Sequence, residues 1–332
     1  MLRIMTQDLP GDKIDASQLV HGEAAEEGGF ALDSAVPNRY RSVRREKSML
    51  HQEVALNLSP IQYGMELNAS GYREKHVYFQ GQRMLYYEFR IESGTGDIPV
   101  VPDGCIDIII RCTPEAPQAL VYGTVLKGKT IRFEPRATHF CIRFTPLQSL
   151  SFRSLAFRDV VDTGVPLLDT AKITADMCAE IAWMPSFEER IAAFEQRCLP
   201  GILNTEQAPS HGLVPYTLEQ IYRSRGAIAT EKLAGNCGYS ARYLRRRFEE
   251  TLGISPKLFS RIIRFQNSLA LLLGSDTSVR NAACEQAYYD ESHFLKDFKE
   301  FSLFTPTQIR TMRESKPTAG CDPERHQYRI KN

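Results

Sequence analysis

The feature that most constrains this chain is a pattern that occurs twice between residues 226 and 313. Each copy has a short apolar helical segment, a tight turn, and then a second helix. The first copy reads Ile228-Ala229-Thr230-Glu231-Lys232-Leu233-Ala234, then Gly235-Asn236-Cys237-Gly238-Tyr239, then Ser240-Ala241-Arg242-Tyr243-Leu244-Arg245-Arg246-Arg247-Phe248. The second reads Ser278-Val279-Arg280-Asn281-Ala282-Ala283-Cys284-Glu285-Gln286, then Ala287-Tyr288-Tyr289-Asp290, then Glu291-Ser292-His293-Phe294-Leu295-Lys296-Asp297-Phe298. Helix, turn and helix is the arrangement that lays a recognition helix in a DNA major groove. A chain that carries it twice is committed to an all-α unit of about a hundred residues here.

Local chemistry supports the same boundaries. Gly238 suits a turn that needs a left-handed backbone, and Ser240 is a good N-cap. On the helix that follows, Tyr243, Leu244 and Phe248 are expected on the core side. Arg242, Arg245 and Arg246 share the opposite face, because spacings of three and four coincide on a helix. With Arg247 they make four arginines in six positions. A guanidinium can fork onto guanine O6 and N7 or onto phosphate.

Ser255-Pro256 is an N-cap followed by proline at the first helical position. It opens a helix through Leu273 with Leu258, Ile262, Phe265, Leu269 and Leu272 on its buried side. At 1.5 Å per residue this helix is ~28 Å long, close to the ~34 Å of one DNA turn. It therefore reads as a rigid spacer between two recognition helices, from which Arg261 and Arg264 reach toward the DNA backbone. A leading helix over 216–225 is expected to stop at Gly226.

Charge agrees with this placement. The chain carries a formal net charge of +1. Residues 213–313 hold 15 Lys+Arg against 10 Asp+Glu, so the basic excess sits on the repeated stretch.

N-terminal to this lies a region of different character. Residues 1–70 give little periodicity; the acidic, glycine-rich run at 22–29 cannot bury enough apolar surface to fold alone. Five basic residues fall in 39–47, read as a solvated segment rather than a DNA-contacting arm. From residue 71 to 168 short β-branched and aromatic runs alternate with turn signals such as Pro102-Asp103-Gly104. Runs at 84–91, 105–111, 120–124, 129–133 and 139–144 predict strands of a small sandwich or barrel. Residues 169–212 turn helical, with Ile173, Met177 and Ile181, then Phe187, Ile191, Phe194 and Cys198 at helical spacing. That stripe either packs on the β region or forms a dimer surface. Trp183 is expected in the core in either case. Residues 314–332 read as a flexible tail.

Several function classes lose support. The hydrophobic content of 42% is that of a soluble globular chain, and no apolar run approaches the ~20 residues of a membrane span. The first residues meet an acid and a proline before a signal-peptide core can form, so a cytoplasmic protein is expected. Eight cysteines are scattered without a CxxC pair and read as reduced thiols. His76 and His139 are isolated, so no metal or other cofactor is predicted. Cys141 and His139 share a strand face at ~7 Å, too far apart for a nucleophile and its base. No catalytic residue is assigned and an enzyme is not expected.

The repeated stretch resembles the C-terminal domain of AraC/XylS-type bacterial transcription regulators. The resemblance rests on Leu233-Ala234, Gly238-Tyr239-Ser240, Tyr243-Leu244, Arg246, Phe248 and Gly253-Ile254-Ser255-Pro256 in the first half. Asp290, Ser292, Phe294, Phe298-Lys299, Thr305-Pro306 and Ile309-Arg310 carry it in the second. It implies that Arg242, Arg245 and Arg246 lie where the first recognition helix meets bases and phosphates. Glu291, Ser292, Leu295 and Lys296 lie where the second does. The second half departs from the pattern: Ala287 stands for the usual turn glycine, which passes backbone strain to Asp290 or to another turn. Leu295 replaces a small polar residue, and Lys296 exchanges a fork for a point charge. The first motif is therefore expected to specify and the second to position.

Val100-Val101-Pro102-Asp103-Gly104-Cys105-Ile106-Asp107, Gly123-Thr124 and Ile142-Arg143-Phe144-Thr145-Pro146 also resemble a barrel-like sensor domain of some AraC-type regulators. The resemblance implies a small-molecule effector on that domain and neighbouring helices that dimerise. The expectation is thus an α+β chain: a β-rich, barrel- or cupin-like sensor domain, a helical linker, and an all-α domain over 213–313. Its function would be transcription regulation, as an activator in the nucleoid. Double-stranded DNA would be the partner, with RNA polymerase, an effector and a second copy as further partners. The rival from another class is a DNA-repair alkyl acceptor or a β-domain enzyme fused to a DNA-binding domain. An alkyl acceptor needs a Pro-Cys-His-Arg nucleophile, whereas the first cysteine here is Cys105 in Gly104-Cys105-Ile106.

Overall fold

The computed structural model describes residues 60–315 apart from 80–81, 93–95, 114–116, 147–149, 151–154, 170–172, 204–211, 276 and 287. These residues lie in the compact unit Glu46–Asn332. The chain before residue 60, including the basic run at 39–47, and the tail from residue 316 fall outside the description, as do residues 204–211 before the C-terminal helices.

A short helix α1 (Tyr63–Asn68) leads into eight strands: β1 (Ser70–Phe79), β2 (Gln82–Arg90), β3 (Asp97–Val100), β4 (Ile106–Cys112), β5 (Gln118–Tyr122), β6 (Lys129–Arg132), β7 (Thr138–Phe144) and β8 (Gly164–Pro166). They form a six-stranded antiparallel sheet in the order β1-β2-β7-β4-β5-β8 and a two-stranded sheet β3-β6. Residues alternate across the large sheet with period two. Met84, Tyr86, Ile108, Ile110, Phe140 and Ile142 face one side, while Leu85, Tyr87, Phe89, Ile109 and Cys141 face the other, toward β3-β6. Both faces are apolar and covered, so Ile108-Ile109-Ile110 runs hydrophobic without alternation.

Helices α2 (Ala175–Trp183) and α3 (Phe187–Arg197) cover the first face, followed by the single turn α4 (Leu199–Ile202). Thr174 and Ser186 cap α2 and α3 by accepting from the N–H groups of Met177 and Glu189. The expected stripe is consumed here: Ile173, Ile181, Phe187, Ile191, Phe194 and Cys198 are all buried against the sheet. The salt bridges of Glu88 to Arg190 at 2.6 Å and Arg73 at 2.7 Å fasten α3 to β1 and β2. Trp183 corrects the expectation of a core position, since it is 64% exposed. It lies two residues beyond Ile181, about 200° around the helix from the buried stripe.

Between the sheets, His139 is buried and stacked on Phe89 with ring centroids 5.0 Å apart. Burial, aided by the Arg111 charge, pushes its imidazole down to about 4, so it is neutral near pH 7. The seven described cysteines are unpaired, and Cys105, Cys141, Cys178 and Cys198 are buried. Among the described residues no three His, Cys, Asp or Glu side chains are grouped to hold a metal. No described helix is long and apolar enough to cross a membrane.

Seven helices follow: α5 (Leu213–Arg223), α6 (Thr230–Asn236), α7 (Ala241–Leu252), α8 (Pro256–Gly274), α9 (Val279–Glu285), α10 (Glu291–Ser302) and α11 (Pro306–Glu314). They share one core around Leu218, Leu244, Phe248, Phe259, Phe265, Leu269, Phe294 and Phe298. The leading helix starts and ends about two residues earlier than expected. Its C-terminus closes by Gly226 N–H to Ile221 C=O at 2.8 Å and Arg225 N–H to Tyr222 C=O at 2.9 Å. The left-handed position of that closure is Arg225, with Gly226 left-handed beyond it.

Candidate nucleic-acid interface

The two motifs are built on the same hydrogen bonds. In the first, the turn after α6 closes by Tyr239 N–H to Ala234 C=O at 3.0 Å, with Gly238 left-handed at φ +74°. In the second, Tyr288 N–H closes onto Ala283 C=O at 3.2 Å. Ser240 caps α7 by accepting from Tyr243 N–H, and Asp290 caps α10 by accepting from His293 N–H. The second turn is one residue longer, because Tyr289 lies between the closing tyrosine and the cap. Ala287, which matches Gly238, is outside the described residues. Asp290 does not absorb turn strain: its φ of −152° is extended backbone.

Spacer α8 spans the expected 19 residues behind its Ser255-Pro256 cap. The two motifs end alike as well. Gly253 after α7 and Leu303 after α10 are both left-handed, at φ +74° and +67°.

On α7, Arg242, Arg245, Arg246 and Arg247 are all exposed. The acidic partners of Arg245, Arg246 and Arg247 lie on the same helix. Arg245 donates to Glu249 at 2.8 Å, a bond that raises its pKa, and Arg247 donates to Glu250 at 2.8 Å. Arg246 approaches Glu250 at 3.8 Å and lies over the Tyr243 ring, 5.4 Å from its centroid. Exposed i,i+4 pairs hold their charges weakly, so a phosphate or a base edge can replace the carboxylate.

Tyr243 corrects its core placement. It stands on the outer side, stacked on Tyr239 with centroids 4.9 Å apart and planes at 22°. Leu244 and Phe248 are buried as expected.

On α10, Glu291, Ser292, Leu295 and Lys296 are exposed together on one side. Arg261 and Arg264 of α8 have partners in the second motif. Arg261 donates to Asp297 and Glu300 at 2.9 Å each and lies 4.8 Å from the Phe301 ring centroid. Those bonds, led by the one to Asp297, raise its pKa. Arg264 covers the Tyr288 ring at 5.2 Å. Both arginines fasten the spacer to the second motif.

Residues 233–312 match a family model described as a helix-turn-helix domain. This stretch is a helix-turn-helix domain. The chain is similar to an uncharacterized HTH-type transcriptional regulator of Haemophilus influenzae, 36% identical over 80 residues. It is likewise similar to the HTH-type transcriptional regulator MtrA of Neisseria gonorrhoeae, 34% identical over 80 residues. Each match covers 24% of this chain and 27% of the relative, so the chain spans about a quarter of their length. Among solved structures it is similar to the C-terminal domain of AraT, a response regulator from Geobacillus stearothermophilus. That match has 23% identity and a TM-score of 0.31 over 36% of this chain and 99% of that one. ToxT of Vibrio cholerae, solved with an unsaturated fatty acid bound, is similar at 12% identity and a TM-score of 0.36 over 73% and 90%.

Within this helix-turn-helix domain, sequence reasoning missed three exposed tyrosines beside α7 and α10. Tyr239 and Tyr243 flank the arginines of α7, and Tyr289 is 94% exposed just before α10. The available signal was the four-residue spacing of Tyr239 and Tyr243, which places both rings on one side of the helix start.

Proposed function

We propose that this chain is a sequence-specific DNA-binding transcription regulator that lays α7 and α10 in two successive major grooves. The observation that supports this best is the outer face of α7. Four exposed arginines sit on a capped helix, and three of them, Arg245, Arg246 and Arg247, pair with carboxylates of that helix which DNA can displace. Base reading falls mainly to Arg242, Arg245 and Arg246, with Arg247 on phosphate. Glu291, Ser292, Leu295 and Lys296 of α10 hold the second groove.

Control would come from the β-rich half. A cleft of about 360 Å³ opens beside β5 and β6, lined by Ile109, Leu120, Tyr122, Ile131, Phe133 and His139. That volume suits a small effector with an apolar body and a polar group, since Arg111, Gln118, Arg132 and Glu134 also line the cleft. A protein of this kind acts in the cytoplasm, on the nucleoid, and engages RNA polymerase. A homodimer would need a surface other than the stripe on α2 and α3, which the sheet already covers.

The test is selection of duplexes from a random pool by the full chain, followed by mobility-shift titration at several salt concentrations. Enrichment of a sequence spanning two grooves, with affinity falling steeply as salt rises, is the expected result. Binding that neither enriches a sequence nor responds to salt would overturn the reading.

A further inference from the structure

The two recognition helices are gripped at their C-terminal ends by the β-rich half. The last carbonyls of a helix have no partner within it. On α10, Lys299 C=O accepts from Leu303 N–H, but Glu300 C=O accepts from Gly128 N–H at 3.1 Å. Ser302 C=O accepts from the hydroxyl of Tyr63, with both residues buried. Lys127 adds its ammonium 3.4 Å from the Glu300 carboxylate. The approach at Gly128 leaves no room for a side chain, since a Cβ there would lie 2.5 Å from Phe301 C=O.

The end of α7 meets the same body elsewhere. A Cβ on Gly253 would fall 2.4 Å from Arg158 Cα and 2.7 Å from Val161 Cγ2. Spacer α8 is held in its middle. Gln266 accepts from Ile61 N–H at 2.8 Å and donates to Pro102 C=O at 2.7 Å. Next to Ile61, Gln62 bonds Val101 C=O at 2.7 Å and Asp103 at 2.9 Å. Asp103 in turn pairs with Arg143 at 3.4 Å, and Arg143 forks onto Asp107 at 2.7 and 2.8 Å. These groups are buried or largely so, and the chain of bonds ends in the middle of the large sheet.

We propose that the β-rich half sets the distance and angle between α7 and α10, with Tyr63, Gly128 and Gln266 as positioning residues for DNA binding. Two helices joined only by α8 and its flanking turns can rock about those turns. Two helices whose ends are also held against one sheet body, α10 by hydrogen bonds and α7 by close packing, cannot. The β-rich half therefore decides which spacing of two half-sites the domain accepts, although none of its residues touches a base. The inference rests on the proposed DNA-binding reading.

The experiment uses the full chain and a duplex recovered from a random pool by the wild-type protein. Versions of that duplex have one base pair inserted or deleted between the two recognised segments, which moves one against the other by about a tenth of a turn. The wild-type protein is expected to lose about tenfold or more in affinity on either change. Tyr63→Phe, which removes only the hydroxyl, and Gln266→Leu are expected to lose about threefold or less. Their affinity for a duplex carrying only the α7 segment should stay unchanged. Gly128→Ala should act the same way and more strongly; if it does not fold, the other two variants decide. Wild-type spacing preference retained by folded Tyr63→Phe and Gln266→Leu would overturn the inference while leaving the DNA-binding reading intact. Failure of the wild-type chain to select any duplex would overturn both.

Discussion

The two helix-turn-helix motifs share a skeleton and differ in what they present. Tyr239 and Tyr288 close their turns on Ala234 and Ala283, Ser240 and Asp290 cap the outer helices, and Gly253 and Leu303 end them in the same left-handed conformation. Phe248 and Phe298 fill equivalent positions of one core. The outer faces share almost nothing. Helix α7 shows four arginines and Tyr243, with Tyr239 exposed just before it, whereas α10 shows Glu291, Ser292, Leu295 and Lys296, with Tyr289 exposed just before it. Even the acids are used differently. On α7, Glu249 and Glu250 pair with exposed arginines of their own helix, while Asp297 and Glu300 of α10 fix Arg261 from the spacer. Backbone closure and buried contacts thus hold the frame, and exposed positions on it are free to diverge.

The largest test of this comparison concerns the frame. Phe248→Ala and Phe298→Ala each remove a fully buried ring from the same core and should each cost about 3–5 kcal/mol. Urea unfolding of the full chain measures both. A difference above about 2 kcal/mol would show that the two copies do not carry equal shares of the frame.

The faces come next. Arg246→Ala should weaken binding to a selected duplex by ~1–3 kcal/mol and relax preference at one base pair, as loss of a forked base contact requires. Lys296→Ala should weaken binding evenly across sequences and lower the salt slope by about one. A mobility-shift series over substituted duplexes separates the two. If Lys296→Ala harmed only the selected sequence, the division of labour between the motifs would be reversed.

Much of the frame was legible because it is written locally. Ser240, Ser255-Pro256 and Asp290 are caps whose chemistry acts within three residues, and the apolar spacing of α8 marks its buried side. What escaped depends on partners far along the chain. Arg261 reads as an exposed base on a spacer helix until Asp297 and Glu300, 36 and 39 residues away, are brought beside it. The stretch at Ile61 and Gln62 carries no periodicity, and its order comes from Gln266, 205 residues on from Ile61. Tyr243 looked like core because it adjoins Leu244, yet the neighbour that claims its ring is Tyr239, before the helix begins.

The left-handed position gives a smaller and unequal pair of effects. Leu303 bears a steric cost that glycine avoids, but glycine also frees the unfolded chain, so Leu303→Gly should change stability by less than about 1 kcal/mol. Gly253→Ala should destabilise by more than about 1 kcal/mol, because the added methyl meets Arg158 as well as the strained backbone. Thermal unfolding reads both. If Gly253→Ala were neutral, the contact between the end of α7 and the β-rich half would be loose.

The smallest effect sharpens the difference between the faces. Tyr243 lies under Arg246, and an exposed cation–π contact is worth about 0.5–1 kcal/mol. Tyr243→Phe keeps a ring and should leave DNA affinity within twofold. Tyr243→Leu removes the platform and should cost roughly that cation–π amount, read at the base pair that Arg246 reads. The decisive measurement is the double variant with Arg246→Ala. If Tyr243 acts by aiming the guanidinium, its substitution should cost almost nothing once Arg246 is gone, because no side chain is left to aim. An undiminished cost in the double variant would mean that Tyr243 meets the DNA itself, and the face of α7 would then be read through its aromatic residues as well as its arginines.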